Sequence, residues 1–185
     1  MIRHIYDITN IQTGVFAKPS ETGEIVYLQA KHFDENGELT AMLYADLPAS
    51  GGSDKHILKH GDVLFAAKGT KNFAAVYEGR NLPAVASTSF FVLRLTSQNI
   101  LPEYLVWFLN HPNTLTLLKA QAIGTSIPSI SKQVLGDLQM QIPDIETQQT
   151  ILKITQLRRQ EKNIKQQIEI LTDKKIQQQI IKALK

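Results

Sequence analysis

The chain has 185 residues, 43% of them hydrophobic, and a net charge of +3 at pH 7. That length accommodates one domain of ordinary size, and the absence of cysteine excludes disulfides and thiolate metal sites. The longest apolar runs, 90–93 and 105–109, are too short to span a bilayer, and residues 1–10 lack the apolar core of a signal peptide. We therefore expect a cytoplasmic protein that makes no membrane contact.

The positive charge is concentrated near the C-terminus. Residues 1–145 carry 11 Lys+Arg and 13 Asp+Glu, whereas residues 146–185 carry 9 and 4. Net charge therefore does not mark the first part of the chain as a nucleic-acid binder, and local patches must do so. Two such patches occur: residues 55–80 are rich in Lys, His and Arg, and residues 104–136 contain no carboxylate.

Apolar runs bounded by Gly and Pro predict the elements of residues 1–144. Residues 2–11 fit either a strand or a short helix. Strands are predicted at residues 25–30, 62–67, 73–77, 87–95 and 138–142. Short helices are predicted to begin at Pro102 and Pro112, and one helical turn to follow a Ser131 cap. Turns and loops are predicted at residues 32–39, 49–54, 68–72 and 124–131.

This order of elements predicts an α/β (α+β) domain over residues 1–144, with a mixed, mainly antiparallel sheet and short helices. A long helix is predicted over residues 145–185, because no Pro or Gly occurs from Glu146 onward. At about 1.5 Å per residue such a helix is roughly 60 Å long. A helix of that length needs a packing partner.

The predicted helix carries an apolar stripe, in which apolar residues recur mostly every three to five positions. Its members are Ile151, Ile154, Leu157, Ile164, Ile168, Leu171, Ile176, Ile180 and Leu184. The stripe spans 33 residues in nine turns, about 3.67 per turn, which predicts straight or slightly right-handed pairing rather than a heptad coiled coil. The basic residues of the opposite face fit either a solvated surface or a contact with a partner or nucleic acid.

A register for pairing with a second copy can be proposed. In a two-fold antiparallel pair, facing residue numbers have a constant sum. A sum of 335 gives these facing pairs: Ile151 with Leu184, Ile154 with Ile181, Ile164 with Leu171, and Glu161 with Lys174. The last pair would account for an acid within an apolar stripe, since one polar pair can fix alignment. Two further pairs fit less well: Leu157 with Gln178, and Arg159 with Ile176.

Residues 123–151, IGTSIPSISKQVLGDLQMQIPDIETQQTI, carry a composite motif. It consists of a Gly-Thr/Ser-x-x-Pro-x-Ile/Leu-Ser loop, a short element, an apolar strand, a Pro-bounded turn, and a Glu-x-Gln-Gln opening of a long helix. The motif resembles the end of a target recognition domain in the specificity subunit of type I restriction-modification systems. Three upstream segments agree in order and spacing: GDVLFAAKGT, STSFFVLRL and LPEYLVWFLN. The resemblance covers most of the chain.

The resemblance implies a non-catalytic subunit that needs no metal or cofactor of its own and recognises double-stranded DNA. Such subunits hold adenine methyltransferase (modification) subunits through their helices and, indirectly, restriction subunits. Family members usually carry two recognition domains and two long helices, whereas this chain carries one of each. It therefore resembles a half-subunit that would homodimerise to recognise a bipartite inverted repeat, or alternatively a gene fragment.

Polar and basic residues on the predicted loops are the candidates for DNA contact, because such side chains reach phosphates and base edges. They are Gln29, Lys31, Lys68, Thr70, Lys71, Asn72, Thr125, Ser126, Ser129 and Lys132. The stripe residues, with Glu161 and Lys174, are the candidates for dimerisation. A second hypothesis is a coiled-coil adaptor or decoy that binds modification subunits without recognising DNA.

Overall fold

A computed structural model describes residues 1–34, 37–40, 42–48, 54–80, 83–124 and 126–184. The chain divides into two compact units, Met1–Ile145 and Glu146–Lys185. The first unit is a globular α+β domain. The second consists of one long helix.

Nine strands form within the described residues: β1 (Ile2–His4), β2 (Thr9–Thr13), β3 (Ile25–Leu28), β4 (Ala45–Leu47), β5 (Val63–Ala66), β6 (Ala74–Val76), β7 (Ala84–Ala86), β8 (Phe90–Leu95) and β9 (Gln139–Gln141). The described helices of the first unit are α1 (Ile5–Ile8), α2 (Pro102–Leu109), α3 (Pro112–Ala120) and α4 (Lys132–Gly136), with 3-10 turns at Ala30–His32 and Asp54–His56. Residues 2–11 therefore contain both strand and short helix, the two structures that their sequence pattern allowed.

The strands form three sheets among the described residues. Strands β2, β8, β5 and β6 form an antiparallel sheet in that order, and β1 pairs with β9 antiparallel. Strand β3 lies between β4, which is antiparallel to it, and β7, which is parallel. The prediction of mixed, mainly antiparallel pairing is confirmed. The prediction of one sheet is wrong, because the short strands divide among three.

Strand β3 is buried on both faces, which explains its uninterrupted apolar sequence. Val26 and Leu28 belong to the main core, whereas Ile25 and Tyr27 belong to a smaller cluster with Leu47. Alternate residues of a strand lie on opposite faces, so a strand between two cores has no polar position. The prediction that this strand extends to residue 30 is wrong by two residues, because a 3-10 turn begins at Ala30.

Three phenylalanine rings pack at the centre of the main core. The ring centroids of Phe33, Phe73 and Phe90 lie 5.5 to 6.0 Å apart, with one tilted pair and two edge-to-face pairs. Aromatic pairs at this spacing add to the free energy gained by burial. Phe73 follows the β5–β6 turn directly, so the core holds one end of that turn in place.

The predicted helix starts are confirmed. Pro102 and Pro112 occupy the first turns of α2 and α3, where the missing N–H is tolerated. The Ser131 hydroxyl accepts a hydrogen bond from the Val134 N–H and caps α4. The loop predicted at residues 49–54 lies outside the described residues except for Asp54, and the turn at 32–39 is described except for residues 35 and 36.

The second unit confirms the long helix. Helix α5 (Ile145–Ala183) is continuous over 39 residues. Of the nine stripe residues, all but Ile151 are exposed, by 47% at Ile176 to 83% at Leu184. Within the same helix, the Glu161 carboxylate lies 2.7 Å from the Lys165 ammonium and 3.5 Å from the Arg158 guanidinium. Among the described residues, no helix is long and apolar enough to cross a bilayer.

Candidate nucleic-acid interface

The first loop of the candidate interface, residues 68–72, connects β5 to β6. A backbone hydrogen bond closes the base of this loop, because the Ala66 N–H donates to the Phe73 O at 2.8 Å. Gly69 has a φ of +93°, a conformation that glycine adopts without strain. Lys68, Thr70 and Lys71 are exposed. The loop therefore presents two ammonium groups and a hydroxyl from a rigid support.

The second loop, residues 123–132, is closed by its own pair of backbone hydrogen bonds. Ile123 N–H donates to Ser129 O at 3.0 Å, and Ser129 N–H donates to Ile123 O at 2.9 Å. Gly124 has a φ of +114°, and a Cβ at this position would lie only 2.8 Å from the Ile127 oxygen. The motif glycine is thus required both for its φ angle and for the close approach of the backbone.

The two loops are joined side by side, although more than fifty residues separate them in the sequence. Lys68 and Ser129 form an antiparallel bridge, and the Gly69 N–H donates to Pro128 O at 2.9 Å. Just beyond, the Ile130 N–H donates to Ala67 O at the same distance. We call the combined face, residues 68–72 and 123–132, the paired-loop surface.

The paired-loop surface brings together six of the ten residues that were predicted to contact DNA. The side chains of these six residues are exposed or half-buried. The six residues are Lys68, Thr70, Lys71, Ser126, Ser129 and Lys132. Thr125, another residue predicted to contact DNA, lies outside the described residues. The lysines in this group form no ion pair with any carboxylate in the described part of the chain. Their charge is therefore available to an anionic ligand.

Asn72 has a structural role that its sequence context does not indicate. It is only 9% exposed, and its Nδ2 donates to Ala66 O at 2.9 Å, across the base of the first loop. A buried amide that satisfies a backbone carbonyl is costly to move into a DNA groove. We therefore interpret Asn72 as a residue that positions Lys68 and Lys71 rather than as a residue that contacts DNA.

Gln29 and Lys31 belong to a neighbouring 3-10 turn. Lys31 is exposed, and Gln29 is half-buried. The Gln29 N–H donates to Nδ1 of His32 at 3.3 Å. Burial, with a smaller effect of Lys31, lowers the pKa of His32, which favours the neutral imidazole that can accept this hydrogen bond. The connection to the paired-loop surface is indirect, through the contact of Phe33 with Phe73.

Asn110 supports the first loop and was not identified from the sequence. Its Oδ1 accepts from the Ala74 N–H at 2.7 Å, and its Nδ2 donates to the Ala74 O at 2.9 Å. Ala74 lies in β6, the edge strand of its sheet. The side chain thus replaces the missing neighbouring strand. An asparagine at the end of an amphipathic helix is the only sequence signal for this role.

Two exposed isoleucines of the second loop were also missed. Ile123 is 75% exposed and Ile127 is 66% exposed. The sequence pattern directed attention to polar groups, although apolar side chains also contact bases. Among the described residues, no group of three or more His, Asp or Glu is placed to hold a metal ion. The paired-loop surface is cationic and hydroxyl-rich, and it also exposes the two isoleucines Ile123 and Ile127.

Comparisons with known proteins identify the family to which the chain belongs. Over residues 2–172 the chain matches the type I restriction modification DNA specificity domain. The chain belongs to this family. It is also 33% identical, over 112 residues, to the type I restriction enzyme HindI specificity subunit of Haemophilus influenzae. That match covers 59% of this chain and 24% of the relative, about a quarter of its length.

Solved structures show the same fold. An HsdS subunit from Thermoanaerobacter tengcongensis superposes with a TM-score of 0.65 at 18% identity, over 89% of this chain and 43% of that one. A type I restriction-modification S subunit from M. genitalium gives 0.58 at 16% identity, over 85% and 38%. At these identities the likeness shows the fold alone. Mixed sheets, short helices and a long C-terminal helix are therefore shared with specificity subunits.

Proposed function

We propose that the chain is a non-catalytic, sequence-specific DNA-binding subunit of a type I restriction-modification system. The observation that supports this most strongly is the joining of two loops into one acid-free surface. Phosphate contacts by Lys68, Lys71 and Lys132 would supply affinity, and hydroxyls on the same surface can donate to base edges. Duplex DNA in the cytoplasm is then the ligand.

The paired-loop surface can be tested by its salt dependence. The double substitution Lys68→Ala and Lys71→Ala removes two cations and should reduce the slope of log K against log salt by about 0.9 for each phosphate that is no longer neutralised. Both side chains are exposed, so folding should be unaffected. Lys18→Ala, which removes an exposed lysine outside both loops, is the matched control. An unchanged slope in the double variant would contradict the assignment.

We further propose that two copies pair through antiparallel α5 helices, so that two globular units recognise an inverted repeat with an unrecognised gap. The exposed stripe supports this, since burying each isoleucine or leucine contributes about 1.5 to 3 kcal/mol. The paired helices would also hold the methyltransferase subunits and, through them, the restriction subunits.

The proposed register has its own test. The combination Ile164→Cys and Leu171→Cys should form disulfide-linked dimers under mild oxidation, with position 164 of one copy joined to 171 of the other. Cross-links between identical positions, or none in a dimeric sample, would remove this register. The Glu161 ion pairs within α5 already offset its charge, so the proposed contact with Lys174 is not required to explain the acid.

A second candidate function is an adaptor that binds methyltransferase subunits without recognising DNA. It is favoured by the exposed apolar stripe of α5, because DNA binding by the paired-loop surface does not require that stripe. The two functions differ in one measurement, the selection of duplexes from a random library in the presence of the methyltransferase partner. A DNA-binding subunit enriches one interrupted inverted repeat, whereas an adaptor enriches none.

A further inference from the structure

The second loop carries two apolar side chains, Ile123 and Ile127, that are exposed to solvent. Ile123 and Ile127 are 75% and 66% exposed. Single exposed apolar residues are common and need no explanation. These two differ because the Ile123–Ser129 bridge and the close approach of Gly124 to the Ile127 oxygen fix both on one narrow loop. The bridge thus holds the backbone of the loop that carries both isoleucines.

The charged residues near Ile123 and Ile127 indicate which ligand these isoleucines can contact. The second loop is joined to the first at Lys68, and Lys132, where the second loop ends, is the first residue of α4. Residues 104–136, which include the whole second loop, contain no carboxylate. A complementary surface therefore combines apolar groups with nearby negative charge. The major groove of duplex DNA has this pattern wherever a thymine presents its 5-methyl group between the two phosphate backbones.

The backbone pairing is compatible with that ligand. The major groove is about 12 Å wide. Ser129 forms antiparallel bridges to Ile123 on one side and to Lys68 on the other. Paired backbones lie about 4.8 Å apart, so the loop that Ile123 and Ser129 close is narrower than the groove, and Lys68 lies beside its base.

We propose that Ile127, assisted by Ile123 of the same loop, contacts a thymine 5-methyl group in the major groove and so contributes to base preference. This inference deepens the proposed DNA-binding function and rests on it. The polar residues of the paired-loop surface would supply phosphate contacts and hydrogen bonds, and the isoleucines would supply van der Waals contact with the methyl.

Deoxyuridine substitution tests the contact directly, because it removes only the methyl group. The preferred duplex is first selected from a random library with the full chain. Each thymine is then replaced singly by deoxyuridine, and dissociation constants are measured for the wild type and for Ile127→Ala. At one thymine, the substitution should weaken the wild type about fourfold. The Ile127→Ala variant should be weaker than the wild type on the unmodified duplex and insensitive at that position.

Two controls keep the outcomes distinct. Leu117→Ala removes a similarly exposed apolar side chain from α3 and should bind as the wild type does. Ile127→Ala should leave the salt dependence unchanged, unlike the lysine variants. Equal sensitivity of the wild type and Ile127→Ala at every thymine, or insensitivity of both, overturns the inference while leaving DNA binding intact. A wild-type chain that selects no sequence overturns the inference and the proposed function together.

Discussion

The globular unit and the long helix differ most in what covers their apolar side chains. In the globular unit, Phe65 and Phe90 are fully buried. In the helix, Ile164 and Leu171 are 56% and 63% exposed. The first unit excludes water from its core with its own residues, whereas the second leaves an apolar stripe in solvent. If two copies pair through α5 as proposed, folding and association depend on different parts of the chain, and substitutions should separate them.

The energetics of the helix explain why this difference matters. Ordering each backbone residue costs about 1 to 2 kcal/mol, and helical hydrogen bonds offset only part of that cost. Burial of the stripe is the available source of the remainder. A helix of 39 residues without such burial should fray, whereas the globular unit should remain folded.

The largest expected effect is on the stability of the globular unit. Asp62 is buried, and its carboxylate accepts hydrogen bonds from Arg94 Nε at 2.7 Å, Arg94 Nη2 at 2.6 Å and the Lys59 N–H at 2.8 Å. Asp62→Ala should lower the free energy of unfolding by about 3 to 5 kcal/mol, because these donors lose their acceptor. Denaturant unfolding followed by Trp107 fluorescence measures it.

Glu78→Ala is the matched control for this substitution. Its ion pair with Arg80 is exposed, so the expected decrease in the free energy of unfolding is below about 1 kcal/mol. Similar decreases in both variants would show that burial does not distinguish the two pairs.

The next effect is on association alone. Ile164→Lys places a charge in the centre of the stripe and should weaken the dimer at least a hundredfold, about 3 kcal/mol, since two copies of the lysine would face the interface. The globular unit should unfold at the same denaturant concentration as in the wild type. Sedimentation velocity across a concentration series measures the dissociation constant.

Gln166→Lys is the control for charge, because residue 166 lies about 200° around the helix from Ile164. It should leave the dimer intact. Equal effects at residues 164 and 166 would indicate that charge, and not the stripe, governs association.

A smaller effect on stability is expected at β6, the edge strand of the four-stranded sheet. Asn110→Ala removes both hydrogen bonds to Ala74 and should destabilise the globular unit by about 1 to 3 kcal/mol. DNA affinity should fall as well, because β6 anchors the first loop. Hydrogen exchange at the Ala74 N–H gives the local readout, with the exposed Asn113→Ala as control. Unchanged protection at Ala74 would contradict the role assigned to Asn110.

The smallest effect distinguishes contacts within α5 from contacts between copies. Glu161→Gln removes exposed ion pairs to Lys165 and Arg158, which should change helix stability by less than about 0.5 kcal/mol. If Glu161 also faces Lys174 of a second copy, dimer affinity falls by more than helix stability does. Circular dichroism and sedimentation on the same samples compare the two quantities.

The sequence predicted the elements whose determinants are local. Helix α5 follows from forty residues without Pro or Gly, and the starts of α2 and α3 follow from Pro102 and Pro112. Strands β4 and β7 were missed, because three residues carry too little periodicity and their pairing with β3 is non-local. The same limit explains why one sheet was predicted instead of three.

The candidate site divides in the same way. Its loops and lysines were predicted from turn residues and charge, but the bridge from Lys68 to Ser129 joins distant segments and has no local signal. The burial of Asn72 was likewise unpredictable, because its acceptor, the Ala66 carbonyl, is defined only by the folded turn. Polarity indicated which side chains lie on loops. Only the tertiary structure shows which of these side chains already form hydrogen bonds within the protein, as Asn72 does.

Pairing of two copies through the exposed stripe of α5 is the proposal on which the other association effects depend. Sedimentation equilibrium of the full chain tests this pairing, because it reports mass without regard to shape. We expect a mass twice the chain value of 20.8 kDa at micromolar concentration, falling towards the single-chain value on dilution. A mass of 20.8 kDa throughout, up to the highest soluble concentration, would contradict the account.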